Sequence, residues 1–253
     1  MKLTTTTTAT LFLSVLVNAQ PLSKSDDKIL PSGFRVHDLK VPAPKKIEQV
    51  APVSIQAPSD AKVLFDGSNT DAWKGNWKVK DGIMTASPGN LVTKESFGKV
   101  QLHLEFRIPK ENKVSGQRGA NSGIFFLGAY EIQIQESYQN MTYPDGQAAA
   151  LYGQYPPLVN ASTPQGEWQS YDLFFDPPVY REGTIVEPAK LTAIHNGVCV
   201  HHAVPFIGTT THNKVAKYPK EGKTRGPILL QWHQDKIDFR NIWVRDLGDY
   251  PTR

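Results

Sequence analysis

Val100-Gln101-Leu102-His103-Leu104-Glu105-Phe106-Arg107-Ile108 is the stretch on which the fold turns. Val100, Leu102, Leu104, Phe106 and Ile108 occupy every second position. Gln101, His103, Glu105 and Arg107 fill the gaps. Successive side chains of a strand point to opposite faces, so this run has one core face and one polar face. A helix would scatter the same residues around its circumference.

Other short runs of the same kind lie on both sides of it. They are Trp77–Lys80, Ile83–Ala86, Gly123–Leu127, Tyr130–Gln135, Trp168–Phe175, Lys190–His195, Val198–Val204, Pro227–His233 and Ile237–Val244. Asp81-Gly82 and Asn196-Gly197 separate neighbouring runs as two-residue hairpin turns do. No amphipathic helical window of ordinary length occurs, and there is no internal repeat. Ten or so short strands with this punctuation predict an all-β fold, a two-sheet antiparallel β-sandwich of the jelly-roll kind.

The 253 residues are 39% hydrophobic, enough for an ordinary core once polar tails are set aside. The net charge of +4 comes from 28 basic and 24 acidic residues, scattered in both signs. That pattern offers no phosphate-binding face, so nucleic acid is not an expected partner. Lys2 followed by the apolar run Ala9–Val17 reads as an export signal over residues 1–19, with cleavage before Gln20. The run is too short to span a bilayer, so no membrane partner is expected, and the location is secreted, extracellular or periplasmic. Residues 20–60 carry Pro21, Pro31, Pro42, Pro44, Pro52 and Pro58 and read as a linker or extension. The sandwich domain is expected over 61–253. Cys199 is single, so no internal disulfide forms, and its place between Val198 and Val200 predicts a small buried hydrophobe. Asn140-Met141-Thr142 and Asn160-Ala161-Ser162 are glycosylation sequons.

Two constellations carry candidate chemistry. In Tyr130-Glu131-Ile132-Gln133-Ile134-Gln135-Glu136, Glu131 and Gln133 share the polar face, and a bulge after Ile134 would bring Glu136 round to it. Laminarinase-type glucanases resemble this row, but Gln133 stands where their central aspartate belongs. Retaining hydrolysis needs a carboxylate pair, so the row argues against it. The second constellation is Gly226-Pro227-Ile228-Leu229-Leu230-Gln231-Trp232-His233, with Asp238, Phe239, Arg240 and Asn241 returning beside it. His233 can serve as a base or a ligand near neutral pH, and Arg240 can clamp an oxygen with fixed geometry.

Further short stretches run in order along the chain. They are Leu64-Phe65-Asp66-Gly67, Leu104-Glu105-Phe106-Arg107, Asn121-Ser122-Gly123-Ile124-Phe125, Tyr130-Glu131-Ile132-Gln133-Ile134, Ala150-Leu151-Tyr152-Gly153, Gly166-Glu167-Trp168, His195-Asn196-Gly197 and Phe239-Arg240-Asn241-Ile242. In these the chain resembles the 3-keto-disaccharide hydrolase domain family, whose fold is similar to the concanavalin-A-like lectin/glucanase sandwich. Trp232 departs from the acidic or small polar residue usual there, and Glu136 from a shorter acid. The resemblance implies sugars oxidised to a ketone at C3. Such a ketone acidifies C2–H, so one base and one carbonyl-polarising group suffice for elimination of the C1 substituent.

On that reading the catalytic candidates are His233, Glu131 and Glu136, with His233 the favoured base. Arg240, Gln133, Gln231, Glu105, Arg107, Asn121, Trp232 and Tyr152 are the substrate-binding candidates, and Tyr138 and Tyr155 are further stacking platforms. An equal reading of Glu105 and Arg107 is a surface ion pair. Glu131, Gln133, Glu136 and His233 also offer ligands for a divalent ion such as Ca²⁺ or Mn²⁺. The expected function is cleavage of 3-keto-glycosides by elimination and hydration. The alternatives are a non-catalytic carbohydrate-binding module and a laminarinase-like glucanase.

Overall fold

The structure is a computed structural model and describes residues 28–48 and 50–248. The expected export signal lies outside those residues. Almost every element is a strand, and the only helical piece is a single 3-10 turn at Pro144–Gly146 among the described residues. No helix among them is long and apolar enough to cross a membrane.

Two sheets make the sandwich. The larger runs in the order Val198–Pro205, Lys190–His195, Trp168–Asp176, Val100–Arg107, Asp238–Asp246, Ile83–Thr85 and Lys78–Lys80, with Lys62–Phe65 also paired to Asp238–Asp246. The smaller runs Trp73–Lys74, Leu91–Thr93, Leu229–Leu230, Ser122–Phe126 and Tyr130–Ile134. Every pairing within both sheets is antiparallel.

The alternation of Val100–Ile108 holds as expected. Leu102, Leu104 and Phe106 are fully buried, opposite Leu173, Tyr171 and Gln169 of the neighbouring strand. From the smaller sheet Ile124, Phe126, Ile132 and Ile134 meet them. Phe126 stacks on Phe175 with ring centroids 4.5 Å apart, and the Tyr171 hydroxyl donates to the Gln133 carbonyl across the core at 2.9 Å. Each large apolar side chain so buried contributes roughly 1.5–3 kcal/mol. Asp81-Gly82 and Asn196-Gly197 take positive φ at both residues, as two-residue primed turns demand.

Three sequence expectations are corrected. The Pro227–His233 run is a strand only at Leu229–Leu230, so Gln231, Trp232 and His233 lie on the loop beyond its end. No bulge follows Ile134: the strand stops there, and Glu136 accepts backbone N–H groups of Tyr138, Gln139 and Asn140 at 2.8–3.2 Å. Cys199 is exposed rather than buried. Period two puts a residue lying between two inward valines on the outer face.

Residues 28–48 and 50–60 run along the sandwich rather than away from it. Leu30 and Val36 are buried, Lys45–Lys46 pairs parallel to Val159–Asn160, and Trp243 Nε1 donates to the Ile55 carbonyl at 2.9 Å. Both sequon amides are engaged: Asn140 Nδ2 donates to the Gly116 carbonyl (2.7 Å) and Asn160 Nδ2 to the Ser137 carbonyl (2.6 Å).

Candidate active site

The outer face of the smaller sheet carries a cavity of about 260 Å³ lined by Asn121, Phe125, Glu131, Gln133, Tyr152, Thr210, His212, Gln231 and His233. Glu131 and Gln133 point there because Tyr130, Ile132 and Ile134 point into the core. The neighbouring strand supplies Gly123 opposite Gln133 and Phe125 opposite Glu131. Gln231 follows Leu229–Leu230, and its backbone N–H donates to the Gly123 carbonyl at 2.9 Å, which sets the loop carrying His233 beside the sheet.

Gly123 explains how a carboxyl fits this surface. A Cβ at that position would lie 2.3 Å from Glu131 Oε1, so the missing side chain is the space the carboxyl occupies. With its amide oriented to satisfy both ends, Gln133 donates to Glu131 Oε1 (3.3 Å) and to the Ser122 carbonyl (3.1 Å), while its oxygen accepts from Gln117 Nε2 (2.9 Å). The backbone of Glu131 is held by Thr210 Oγ1, which accepts its N–H at 3.0 Å. Glu131 has no ion-pair partner among the described residues, and burial pushes its carboxyl up to about 8. A carboxyl of that kind can exchange a proton near neutral pH.

Tyr152 and His212 form one wall. The Tyr152 hydroxyl lies 3.1 Å from His212 Nδ1 and 2.9 Å from the Tyr143 hydroxyl. Burial raises the Tyr152 phenol and keeps it neutral. His233 is exposed at the rim, and a second cavity with Arg118, Gly119, Gln234 and Asp235 opens on its other side.

The structure thus brings together Glu131, Gln133, Asn121, Gln231, Tyr152 and His233 from the expected set. It places the others elsewhere. Glu105, Arg107 and Arg240 lie on the outer face of the larger sheet, the opposite side of the sandwich. Arg240 binds Glu105 Oε2 through Nε (2.7 Å) and NH2 (2.6 Å), and Arg107 NH2 binds Asp238 Oδ2 at 2.6 Å. Both guanidinium groups stack on Trp168, 4.1 and 4.7 Å from its ring centroid. The ion pair expected between Glu105 and Arg107 is thus replaced by Glu105–Arg240 and Arg107–Asp238, and none of the three side chains forms a substrate clamp beside Glu131. Glu136 and Tyr138 share a separate cavity with Asn140 and Met141. Trp232 and Tyr155 pack against the hydrophobic core.

The expected metal set therefore does not assemble. Glu136 is spent on its own loop, and no group of three or more His, Cys, Asp or Glu side chains among the described residues is arranged to hold a metal ion. Sequence reasoning missed Phe125, Thr210 and His212. Phe125 sits in a recognised strand as one more apolar residue, and Thr210 and His212 sit in a stretch without periodicity, so only the tertiary fold picks them out.

A family model described as the 3-keto-alpha-glucoside-1,2-lyase-like domain matches residues 60–245. The crystal structure of a protein from Parabacteroides distasonis ATCC 8503, provisionally described as a glycosyl hydrolase, is 37% identical with a TM-score of 0.74, covering 80% of this chain and 94% of that one. A second protein from the same organism and of the same description is 23% identical with a TM-score of 0.55, covering 74% and 99%; it shows the fold alone. No curated protein matches the chain significantly. With the matched span running from the first strand of the sandwich almost to the end of its last, the chain belongs to the 3-keto-alpha-glucoside-1,2-lyase-like domain family.

Proposed function

We propose that the chain cleaves glycosidic bonds of 3-keto-glycosides, 3-keto-disaccharides among them, by ketone-assisted elimination followed by hydration. The observation that carries this reading is Glu131: a buried carboxyl, raised to about 8, in a cavity that also holds two imidazoles. It is also the only carboxylate among the cavity-lining residues, which fits a one-base mechanism and not the paired carboxylates of ordinary glycoside hydrolysis.

In this mechanism ionised Glu131 takes the C2 proton. The C–H electron pair becomes the C2=C3 bond of an enolate, with the charge on the C3 oxygen. Hydrogen bonds from Asn121, Gln231 and Tyr152 stabilise that charge as it develops. The enolate then collapses: the C3 ketone reforms, a C1=C2 bond forms, and the C1–O bond to the leaving sugar breaks. His233, entering as imidazolium, protonates the leaving oxygen. Water next adds to C1 and gives its proton to His233, while protonated Glu131 returns its proton to C2. The enzyme is restored, and the net change is hydrolysis. Glu131 replaces His233 as the favoured base, because burial makes its carboxylate unusually basic while His233 stands exposed at the rim.

The test is an assay on a 3-keto-disaccharide and its unmodified parent, with ultraviolet detection of the conjugated enone. The proposal expects turnover of the keto sugar alone, with the enone as a transient or released product. Comparable cleavage of the parent sugar would make the chain a plain glycosidase. Binding of the keto sugar without turnover would make it a binding module.

A further inference from the structure

His37 lies in the segment before residue 60, outside the span matched by the family model. It nevertheless sits behind the wall of the cavity. Its ring centroid is 3.9 Å from that of Tyr143, 5.2 Å from Tyr152 and 5.5 Å from His212. Those three side chains are the hydrogen-bonded relay Tyr143–Tyr152–His212, and Tyr152 and His212 line the cavity. One imidazole therefore touches every member of the wall.

The chain goes to some length to put it there. Leu30 and Val36 are buried, and the Ile29–Arg35 bridge closes a tight loop just before His37. His37 itself has φ = 63°, a left-handed conformation unfavourable for a residue with a Cβ. Buried Asp145 holds it at two points: Oδ2 accepts the backbone N–H at 2.9 Å, and Oδ1 lies 3.3 Å from Nδ1. The side chain is only 10% exposed, and its buried Nε2 has no hydrogen-bond partner among the described residues. A phenylalanine would keep the stack but leave buried Asp145 Oδ1 without the Nδ1 contact, so the histidine both fills the space behind the wall and ties it to Asp145.

We infer that His37 is a positioning residue of the active site, fixing the Tyr152 hydroxyl and the His212 imidazole, and that the functional unit includes residues 28–48 as well as the family domain. The catalytic part of this inference rests on the proposed function. The experiment uses the full chain with His37→Ala and His37→Phe. It measures kcat and KM on the 3-keto-disaccharide, the thermal midpoint, and the His212 Cε1–H resonance in the absence of sugar. His37→Ala is expected to lower kcat/KM at least tenfold at a temperature where it remains folded, and to move the His212 resonance. His37→Phe, which restores the stack but not the Asp145 contact, is expected to recover part of that loss. Should His37→Ala not fold, His37→Gln, which keeps a donor for Asp145 but no ring, is read in the same way. Wild-type kcat and KM together with an unmoved His212 resonance in the variant lacking the ring would overturn the inference. If the wild-type chain does not turn over keto sugars, the functional reading falls, and the His212 resonance still decides whether His37 holds the wall.

Discussion

A carboxyl group in water is ionised above pH 5, and Glu131 is not, because burial without a charged partner disfavours its anion. The sign of the consequence follows from linkage. Between the ordinary value of 4.5 and about 8, the unfolded chain loses the proton while the native chain keeps it. Stability assigned to Glu131 is therefore present below pH 4.5 and is lost as pH rises through 8. Glu131→Gln should melt like wild type at pH 4 and several degrees above it at pH 8, while turnover falls roughly 10²–10⁴-fold. Equal melting curves at both pH values would show that the carboxyl is solvated. Gly123→Ala should separate fold from function differently: the atoms nearest its new methyl belong to the outer part of the flexible Glu131 side chain, so the thermal midpoint should change little while turnover drops as the carboxyl is displaced. Glu131, Gln133, Gln231, Asn121, Tyr152 and His233 were legible as chemistry-bearing residues because alternation and loop position exposed them. Arg240 and Glu105 looked the same by that criterion. Alternation tells which face of its own sheet a residue takes, not which sheet of the sandwich that is, and these two fell on the other one.

Among the elements, Val100–Arg107 and Trp168–Asp176 were readable because their alternation runs without interruption and they pair with no shift in register. The pairs Trp73–Lys74 and Leu229–Leu230 are too short to show a period, so the smaller sheet, which carries the site, was the less visible of the two. The Asp238–Asp246 strand has a bulge between Arg240 and Trp243, with Asn241 at φ = 46°. That bulge lets Asn241 Nδ2 reach Glu105 Oε1 at 2.8 Å, alongside Ser54 Oγ at 2.6 Å from the extension. Burial alone would raise Glu105, but the His103 imidazole 3.8 Å away and hydrogen bonds from Asn241, Ser54 and Arg240 outweigh it and hold the carboxyl down at about 2. Its contribution is present above pH 4.5 and is lost as pH falls toward 2. Glu105→Gln should therefore destabilise the chain at pH 7 and much less at pH 2, measured by thermal melting. A constant difference across that range would mean that packing, not charge, makes the difference. The same variant should leave turnover near the wild-type value, since Glu105 is on the face away from the cavity.

At the scale of the molecule, the two outer faces of the sandwich are put to different uses. One carries a dense ion-pair network partly covered by the extension, and the other carries a single unpaired carboxyl among neutral donors and imidazoles. The first arrangement stabilises fixed charges, whereas the second keeps a proton mobile near neutral pH, which is what removal of a carbon-bound proton requires. The central claim is that the C2 proton of a 3-keto sugar leaves to Glu131 before the glycosidic bond breaks. The kinetic isotope effect on kcat/KM with deuterium at C2 of a 3-keto-disaccharide tests it most directly. The account predicts a primary effect, with protiated substrate cleaved several times faster. Equal rates for the two isotopologues in a reaction shown to be limited by bond cleavage would contradict it, since a glycosidase that breaks C1–O directly leaves the C2 hydrogen in place.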